Sequence, residues 1–332
     1  MKIKAIAIEP REYFVDLGVA NIIEKIWDVD YGITLSLNIN RRLKEYDVIL
    51  SCIYHSSSAQ ILVNIAKSMN ILSVFFSDGI GDWANFYKNI KKQLESQLLH
   101  HPIIHDFIYC CDKSTQRYLS YLGGKTILYR PDRMNSVRTE PKKNDFVIRK
   151  ILFTTAKTPW FNEEEKKRFY KLASKLKSEI DNIGLQLEVR VFDEALYQEL
   201  FLGLNNNKDA LFEDVIKEFD CVISSPSSII SICAKLKRPV CLLDYRCTPM
   251  YVQGAVRYNG SIPFSSIIEE IEAHFNSLLM FQESQFYHED EKSVLNTNEI
   301  VMKLNSINKK NQGVKIFFSI EYLKRWLYRK LK

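Results

Sequence analysis

The stretch from Phe219 to Arg246, FDCVISSPSSIISICAKLKRPVCLLDYR, constrains the fold more than any other part of the chain. Its two apolar runs, Cys221-Val222-Ile223 and Val240-Cys241-Leu242-Leu243, have the length and continuity of buried parallel strands. Between them a polar loop, Ser224-Ser225-Pro226-Ser227-Ser228, leads into Ile229, Ile230, Ile232, Cys233 and Leu236 in helical clusters. Lys235, Lys237 and Arg238 suit the carbonyl end of that helix, and Pro239 stops it. The unit is strand, loop, helix, strand, and its hydroxyl-rich loop opens at a helix N-terminus, where free amides and the positive dipole end favour an anion. Ser227 or Ser228 either caps the helix or holds that anion. Serines at 224, 225, 227 and 228 around one proline favour the second use.

The same grammar runs through the whole chain. In the first half, strands are expected at Ile3–Ile8, Val48–Ile53, Leu72–Phe76, Phe107–Cys111 and Thr126–Tyr129. Helices follow at about Val15–Ile26, through Ile61, Leu62, Ile65 and Met69, and after Ser114 as a cap. In the second half, Ile151-Leu152-Phe153 and Leu187–Phe192 are strands, Asn162 opens a helix through Glu163–Glu165, and helices are expected around Leu211–Phe219, Ser265–Leu279 and Glu299–Ile307. Alternation of this kind gives α/β structure with parallel sheets and right-handed crossovers. At 332 residues the chain reads as two Rossmann-like domains, 1–134 and 150–310, with a linker at 135–149 and a basic tail at 311–332.

Composition excludes several classes. The net charge is only +6, and six basic residues against Glu321 in 315–332 supply most of it, so the bases form a local patch and not a nucleic-acid surface. Seven cysteines with no CxxC spacing, of which Cys52, Cys110, Cys221 and Cys241 lie in apolar runs, read as small buried hydrophobes in a reducing compartment. No apolar run approaches the length of about eighteen residues that a membrane span needs, and the N-terminus does not read as a signal peptide. A cytoplasmic location follows.

Ligands of such sheets sit beyond the carboxyl ends of the strands. In the first half that rim carries Glu9, His55 and the run Ser77-Asp78-Gly79-Ile80-Gly81-Asp82-Trp83. The glycines permit a tight turn or close approach, and Asp78 or Asp82 beside Phe76 and Trp83 suits a general base with a raised pKa; equally, the aspartates cap the next helix. His100-His101 reads as a surface loop before it reads as a zinc or catalytic pair. In the second half, Thr154-Thr155-Ala156-Lys157 is a strand-to-helix turn in which Thr155 and Lys157 are candidate phosphate ligands, without the glycines of a Walker loop. No metal site is expected.

The tail, VKIFFSIEYLKRWLYRKLK from Val314, sets Ile316, Ile320, Leu323, Leu327 and Leu331 on one helical face among basic residues. A basic amphipathic helix with Tyr322 and Trp326 suits an anionic membrane surface, or alternatively docks on the protein's own core.

These segments resemble the GT-B glycosyltransferases of bacterial surface-polysaccharide assembly. DCVISSPSSIISICAKLKRPVCLLDYR looks like the nucleotide-binding element of that fold, and KILFTTAKTPWFNEEE like the first strand and loop of its donor domain. The resemblance implies an acceptor domain followed by a donor domain, a nucleotide-sugar substrate and no further cofactor. Within the fold, Asp78-Gly79 and Ser227-Ser228 are similar in type and order to the acidic-Gly and paired-serine motifs of transferases using CMP-activated Kdo or sialic acid. The third motif of those families, His-Pro in the second domain, is absent, since His101-Pro102 lies in the first. On this resemblance Asp78 is the base or nucleophile, with Asp82 and His55 as alternates. Thr155, Lys157, Ser225, Ser227, Ser228, Asp244 and Arg246 line the donor phosphate. The acceptor is a lipid-linked or surface glycan, and the tail holds the enzyme at the inner membrane. The serine segment is also similar to teichoic-acid-type CDP-alditol phosphotransferases; a non-catalytic scaffold of the same fold and a nucleotide-sugar epimerase are the other readings.

Overall fold

The computed structural model describes residues 3–54, 56–77, 79–88, 100, 102–129, 146–248, 250, 252–286 and 300. Two parallel sheets organise them. The first contains β1 (Lys4–Ala7), β2 (Asp28–Asp30), β3 (Val48–Ser51), β4 (Leu72–Phe76), β5 (Phe107–Cys110) and β6 (Thr126–Leu128), in the order β2-β1-β3-β4-β5-β6. The second contains β7 (Lys150–Thr154), β8 (Gln186–Arg190), β9 (Cys221–Ser224), β10 (Val240–Leu243) and β11 (Val256–Tyr258), in the order β11-β10-β9-β7-β8. Every pairing is parallel. The two Rossmann-like sheets expected from the sequence are therefore present. Strand order reverses between β1 and β3, and again between β7 and β9, which places a ligand crevice at each reversal.

Central strands are buried on both faces, as their unbroken apolar runs require: every residue of β3, β4, β5, β9 and β10 is buried. Edge strands differ. β2 is Asp-Val-Asp and β11 is Val-Arg-Tyr, too short and too polar to announce themselves, and the sequence reading missed both. The helix expected over Val15–Ile26 is two helices, Arg11–Asp16 and Ala20–Ile26, because Gly18 between them takes a left-handed φ of 71°. Likewise Phe264–Ala273 and Phe275–Ser284 meet at His274 where one helix was expected. Helix Lys113–Tyr121 is capped by Asp112, whose Oδ1 accepts from Thr115 N–H, and not by Ser114. The long helix Glu163–Ile183 starts as read, with Asn162 accepting from Glu165 N–H at 2.9 Å. Arg238, read as suiting the carbonyl end of helix Ile229–Lys235, is buried there and donates to the carbonyls of Leu236 and Lys217.

The lobes are tied together late in the chain. Where helix Phe275–Ser284 ends, Lys113 donates its backbone N–H to Gln285 O at 3.1 Å and its Nζ to Ser284 O at 3.0 Å. Ile300, fully buried, packs with Ala5, Phe14 and Val74 in the core of the first lobe. The linker at 135–149 falls mostly outside the described residues, and the helix at 299–307 almost wholly so; the tail at 311–332 lies entirely outside them. Among the described residues no helix is long and apolar enough to cross a membrane. Cys52, Cys110, Cys221 and Cys241 are buried and in no disulfide, and burial pushes Cys221 up to about 12, which makes it inert at neutral pH.

The histidines corrected one expectation. His100 is buried against Tyr54 and Phe75 and does not lie on a surface loop; His101 is outside the described residues. His105 packs on the same rings and lies 2.9 Å by Nε2 from Ser51 Oγ. Burial, with His100 and Lys67 adding to it, lowers its imidazole from the ordinary 6.5 to about 3. Between those values the unfolded chain binds a proton that the folded chain refuses, so stability falls as pH drops through this window. From pH 7 to pH 5 His105 is expected to remove about 2 kcal/mol. Urea unfolding at both pH values checks it: the native sequence should lose about 2 kcal/mol more than His105→Gln. Equal losses refute it.

Candidate functional site

The two crevices are filled differently. In the first lobe the Glu9 carboxylate spans the reversal point, accepting from the backbone N–H groups of Cys52 at 3.0 Å and Ile53 at 3.1 Å. Glu9 is buried, and that burial raises its pKa against the lowering effect of those amides. The amides that would have met an outside anion are already occupied. His55, two residues further on, lies outside the described residues.

In the second lobe the corresponding crevice is lined by neutral hydroxyls. Ser225 Oγ accepts from Ala156 N–H at 2.7 Å, and Ser225 N–H donates to Thr154 O at 3.3 Å, which stitches the ends of β7 and β9. Thr155 reaches the other way, its N–H donating to Arg190 O and its Oγ1 accepting from Phe192 N–H at 3.4 Å. Ser225 and Thr155 are buried, so both hydroxyls shape the floor of the crevice. Lys157 is exposed at its mouth. Ser227 and Ser228 are half-buried at the start of helix Ile229–Lys235, and the Ser228 side chain makes no cap bond. The capping alternative therefore does not describe Ser228. Asp244 sits aside, with Arg257 of β11 at 3.7 Å.

Across the cleft stands the loop 77–82. Ser77 Oγ donates to Gly79 O at 2.8 Å, Tyr129 OH donates to Ser77 O at 2.7 Å, and Gly81 N–H donates to Thr115 Oγ1 at 2.6 Å. Ile80 packs against the second lobe's cluster around Leu152 and Ile230. A Cβ placed on Gly79 would lie 3.1 Å from Ser228 Cβ and 3.5 Å from its Oγ, so only glycine allows this approach without a shift. Asp78 itself lies outside the described residues.

Asp82 and Arg246 meet directly. Asp82 caps helix Trp83–Tyr87 through Oδ1, which accepts from Ala84 N–H at 3.0 Å, while Oδ2 takes a hydrogen bond and ion pair from Arg246. The Arg246 side chain is 1% exposed. It also donates to Pro159 O at 3.0 Å, lies 3.8 Å from the buried Glu165 carboxylate and stacks on the rings of Phe161 and Tyr245. Burial opposes its charge, but Tyr245, Asp82 and Glu165 outweigh that and hold its pKa above the usual value. Arg246, expected at a donor phosphate, is thus engaged in an interlobe clamp. Sequence reading paired neither it with Asp82 nor Thr115 with Gly81; the one local signal was Asp112-x-x-Thr115, a helix-start pattern.

Comparison with solved structures places the architecture. A Listeria monocytogenes protein described as a UDP-N-acetylglucosamine 2-epimerase superposes with a TM-score of 0.56 at 12% identity, over 92% of this chain and 96% of its own. The UDP-GlcNAc 2-epimerase of Neisseria meningitidis bound to UDP-GlcNAc gives 0.51 at 14%, over 93% and 100%. The glycosyltransferase SnogD from Streptomyces nogalater gives 0.54 at 11%, over 92% and 100%. The chain has the GT-B fold. No family model matches the sequence, and no curated protein matches it either.

The clamp makes a stability prediction. Arg246→Gln leaves Asp82 and Glu165 facing each other without a cation and should cost about 3–5 kcal/mol. Asp82→Asn keeps Glu165 and Pro159 O on the guanidinium and should cost less, about 1–3 kcal/mol. Chemical denaturation measures both, and the opposite ranking would show that the clamp is not centred on Arg246.

Proposed function

We propose that this chain is a nucleotide-sugar glycosyltransferase whose donor phosphate rests in the second lobe's crevice, facing an acid carried by loop 77–82. The observation that supports this best is the close approach of Gly79 to Ser228, which joins the two stretches singled out from sequence. The fold supports it too, since ligands of such sheets gather at the strand-order reversals.

In this reading Ser227, Ser228 and the ammonium of Lys157 face the phosphate, while Ser225 and Thr155 keep the crevice open and shaped. Asp78 takes the proton from an acceptor hydroxyl, with His55 as its alternate; Asp82 is committed to Arg246. The acceptor oxygen bonds to the anomeric carbon as the bond from that carbon to the phosphate oxygen breaks. The charge that grows on the leaving nucleotide is met by fixed hydroxyls, amides and Lys157, electrostatics that need no reorganisation. Asp78-Gly79 with Ser227-Ser228 favours a CMP-linked acidic sugar such as Kdo, whereas the solved structures of this fold include one bound to UDP-GlcNAc. A lipid-linked glycan acceptor and contact of the 314–332 segment with an anionic membrane surface complete the proposal. A second reading, epimerisation of a nucleotide sugar, is favoured by the similar structures described as 2-epimerases.

A thermal-shift panel of CMP, CDP, UDP and GDP tests the proposal. One nucleotide should raise the melting temperature, by about 2.7 kcal/mol of added stability at a hundredfold excess over Kd. Ser228→Ala or Lys157→Ala should weaken the shift, and absence of any shift overturns the reading. Donor consumed without acceptor identifies an epimerase. A folded Asp78→Ala that still transfers sugar removes Asp78 from the chemistry.

A further inference from the structure

Loop 77–82 is held from beneath as well as from across the cleft. Asp112, fully buried just beyond β5, turns both carboxylate oxygens to Thr115: Oδ1 accepts from Thr115 N–H at 2.7 Å and Oδ2 from the Thr115 hydroxyl at 2.6 Å, and the backbone of Gly81 and Ser114 also acts on the carboxylate. Capping helix Lys113–Tyr121 needs only the first of these bonds. A hydroxyl has a single proton, so once it points at Oδ2 the remaining lone pairs of Thr115 Oγ1 can only accept. Gly81, which is no part of that helix, donates its N–H to them at 2.6 Å. The direction of every bond is fixed from the carboxylate outward. Asp112, Thr115 and Gly81 are all buried, so water does not compete. Burial also raises the Asp112 pKa, and the bonds from Thr115, with smaller contributions from the backbone of Gly81 and Ser114, oppose that rise by favouring the charged form.

The consequence reaches the cleft on both sides of Gly81. Asp82, next in sequence, pairs with Arg246 of the other lobe; Gly79, two residues earlier, abuts Ser228. Neither Thr115 nor Asp112 is placed to touch a ligand there. We propose that Thr115, oriented by Asp112, is a positioning residue that sets the cleft-facing height of loop 77–82. The brace itself stands on geometry alone; its effect on turnover rests on the proposed function.

The test uses the full chain. Thr115→Val keeps the shape and removes the acceptor; Thr115→Ser keeps both hydroxyl roles; Asp112→Asn turns a donor toward Thr115 and reverses the bond. Residue-resolved amide hydrogen exchange should show the Gly81 N–H exchanging on the order of tenfold faster or more in Thr115→Val and Asp112→Asn, with Thr115→Ser close to the native sequence. Donor turnover should fall in kcat on the order of 10- to 100-fold in Thr115→Val, with KM nearly unchanged, because the phosphate ligands belong to the other lobe. Thr115→Ser should restore it, which a general loss of stability would not do. If Thr115→Val fails to fold, Asp112→Asn carries the same comparison. Gly81 exchange that is unchanged in a folded variant overturns the brace, whether or not CMP, CDP, UDP or GDP binds. Thr115-dependent exchange in a chain that binds none of the four upholds the brace and overturns the proposed function instead.

Discussion

One buried guanidinium joins the two lobes. Removing a cation from water costs several kcal/mol unless its partners offset the lost hydration; around Arg246 the offset is largely electrostatic, from Asp82 of one lobe and from Glu165, Pro159 O and two aromatic faces of its own, while its buried Nε makes no hydrogen bond. Each carboxylate also serves a helix start. Glu165 stands in the first turn of Glu163–Ile183 and accepts from Phe161 N–H at 3.0 Å, while Asp82 caps Trp83–Tyr87. The clamp therefore fixes two helix N-termini relative to one another, and with them the position of Gly79 over Ser228.

The reversal points of the two sheets make a natural comparison because topology puts them in the same place. Glu9 fills the first with a carboxyl group already bonded to two amides, so a phosphate approaching it meets an acid and finds those donors taken. The second holds Ser225 and Thr155, neutral and inward, with half-buried Ser227 and Ser228 beside it and Lys157 exposed at the mouth. A shared grammar of strands and helices would not by itself tell the lobes apart. The carboxyl group at one crevice and the neutral hydroxyls at the other do.

Much of this architecture was legible in the sequence, for a reason that also explains what was not. Strands buried on both faces are apolar throughout, so β4 was read at its observed bounds, Leu72–Phe76, and the Asn162 cap was visible because its partner is three residues away. β2 and β11 carry charged residues at sheet edges and leave no such signature. The serine loop showed its composition but not its directions: one hydroxyl of the set, that of Ser225, is taken by Ala156 N–H, and sequence could not say which. Arg246 was expected at the donor phosphate on the family resemblance, which carries no information about its partner. Its true partner is 164 positions away in sequence, a distance over which no local pattern speaks.

The arrangement also dictates how the cleft can open. Gly79 has no side chain, yet its backbone stands where it limits access to Ser228 from the first lobe's side. A ligand bulky enough to need more room must separate the lobes, and the contacts do not share that separation equally. Glu165 and Pro159 belong to the same lobe as Arg246 and travel with it, whereas Asp82 belongs to the other. Lobe separation therefore breaks the Asp82 pair and leaves the guanidinium with a carboxylate and a carbonyl still in place. The buried charge is never stranded, because Glu165 remains beside it. A second carboxylate that looks redundant in the closed arrangement is what keeps the open one from carrying an uncompensated buried cation.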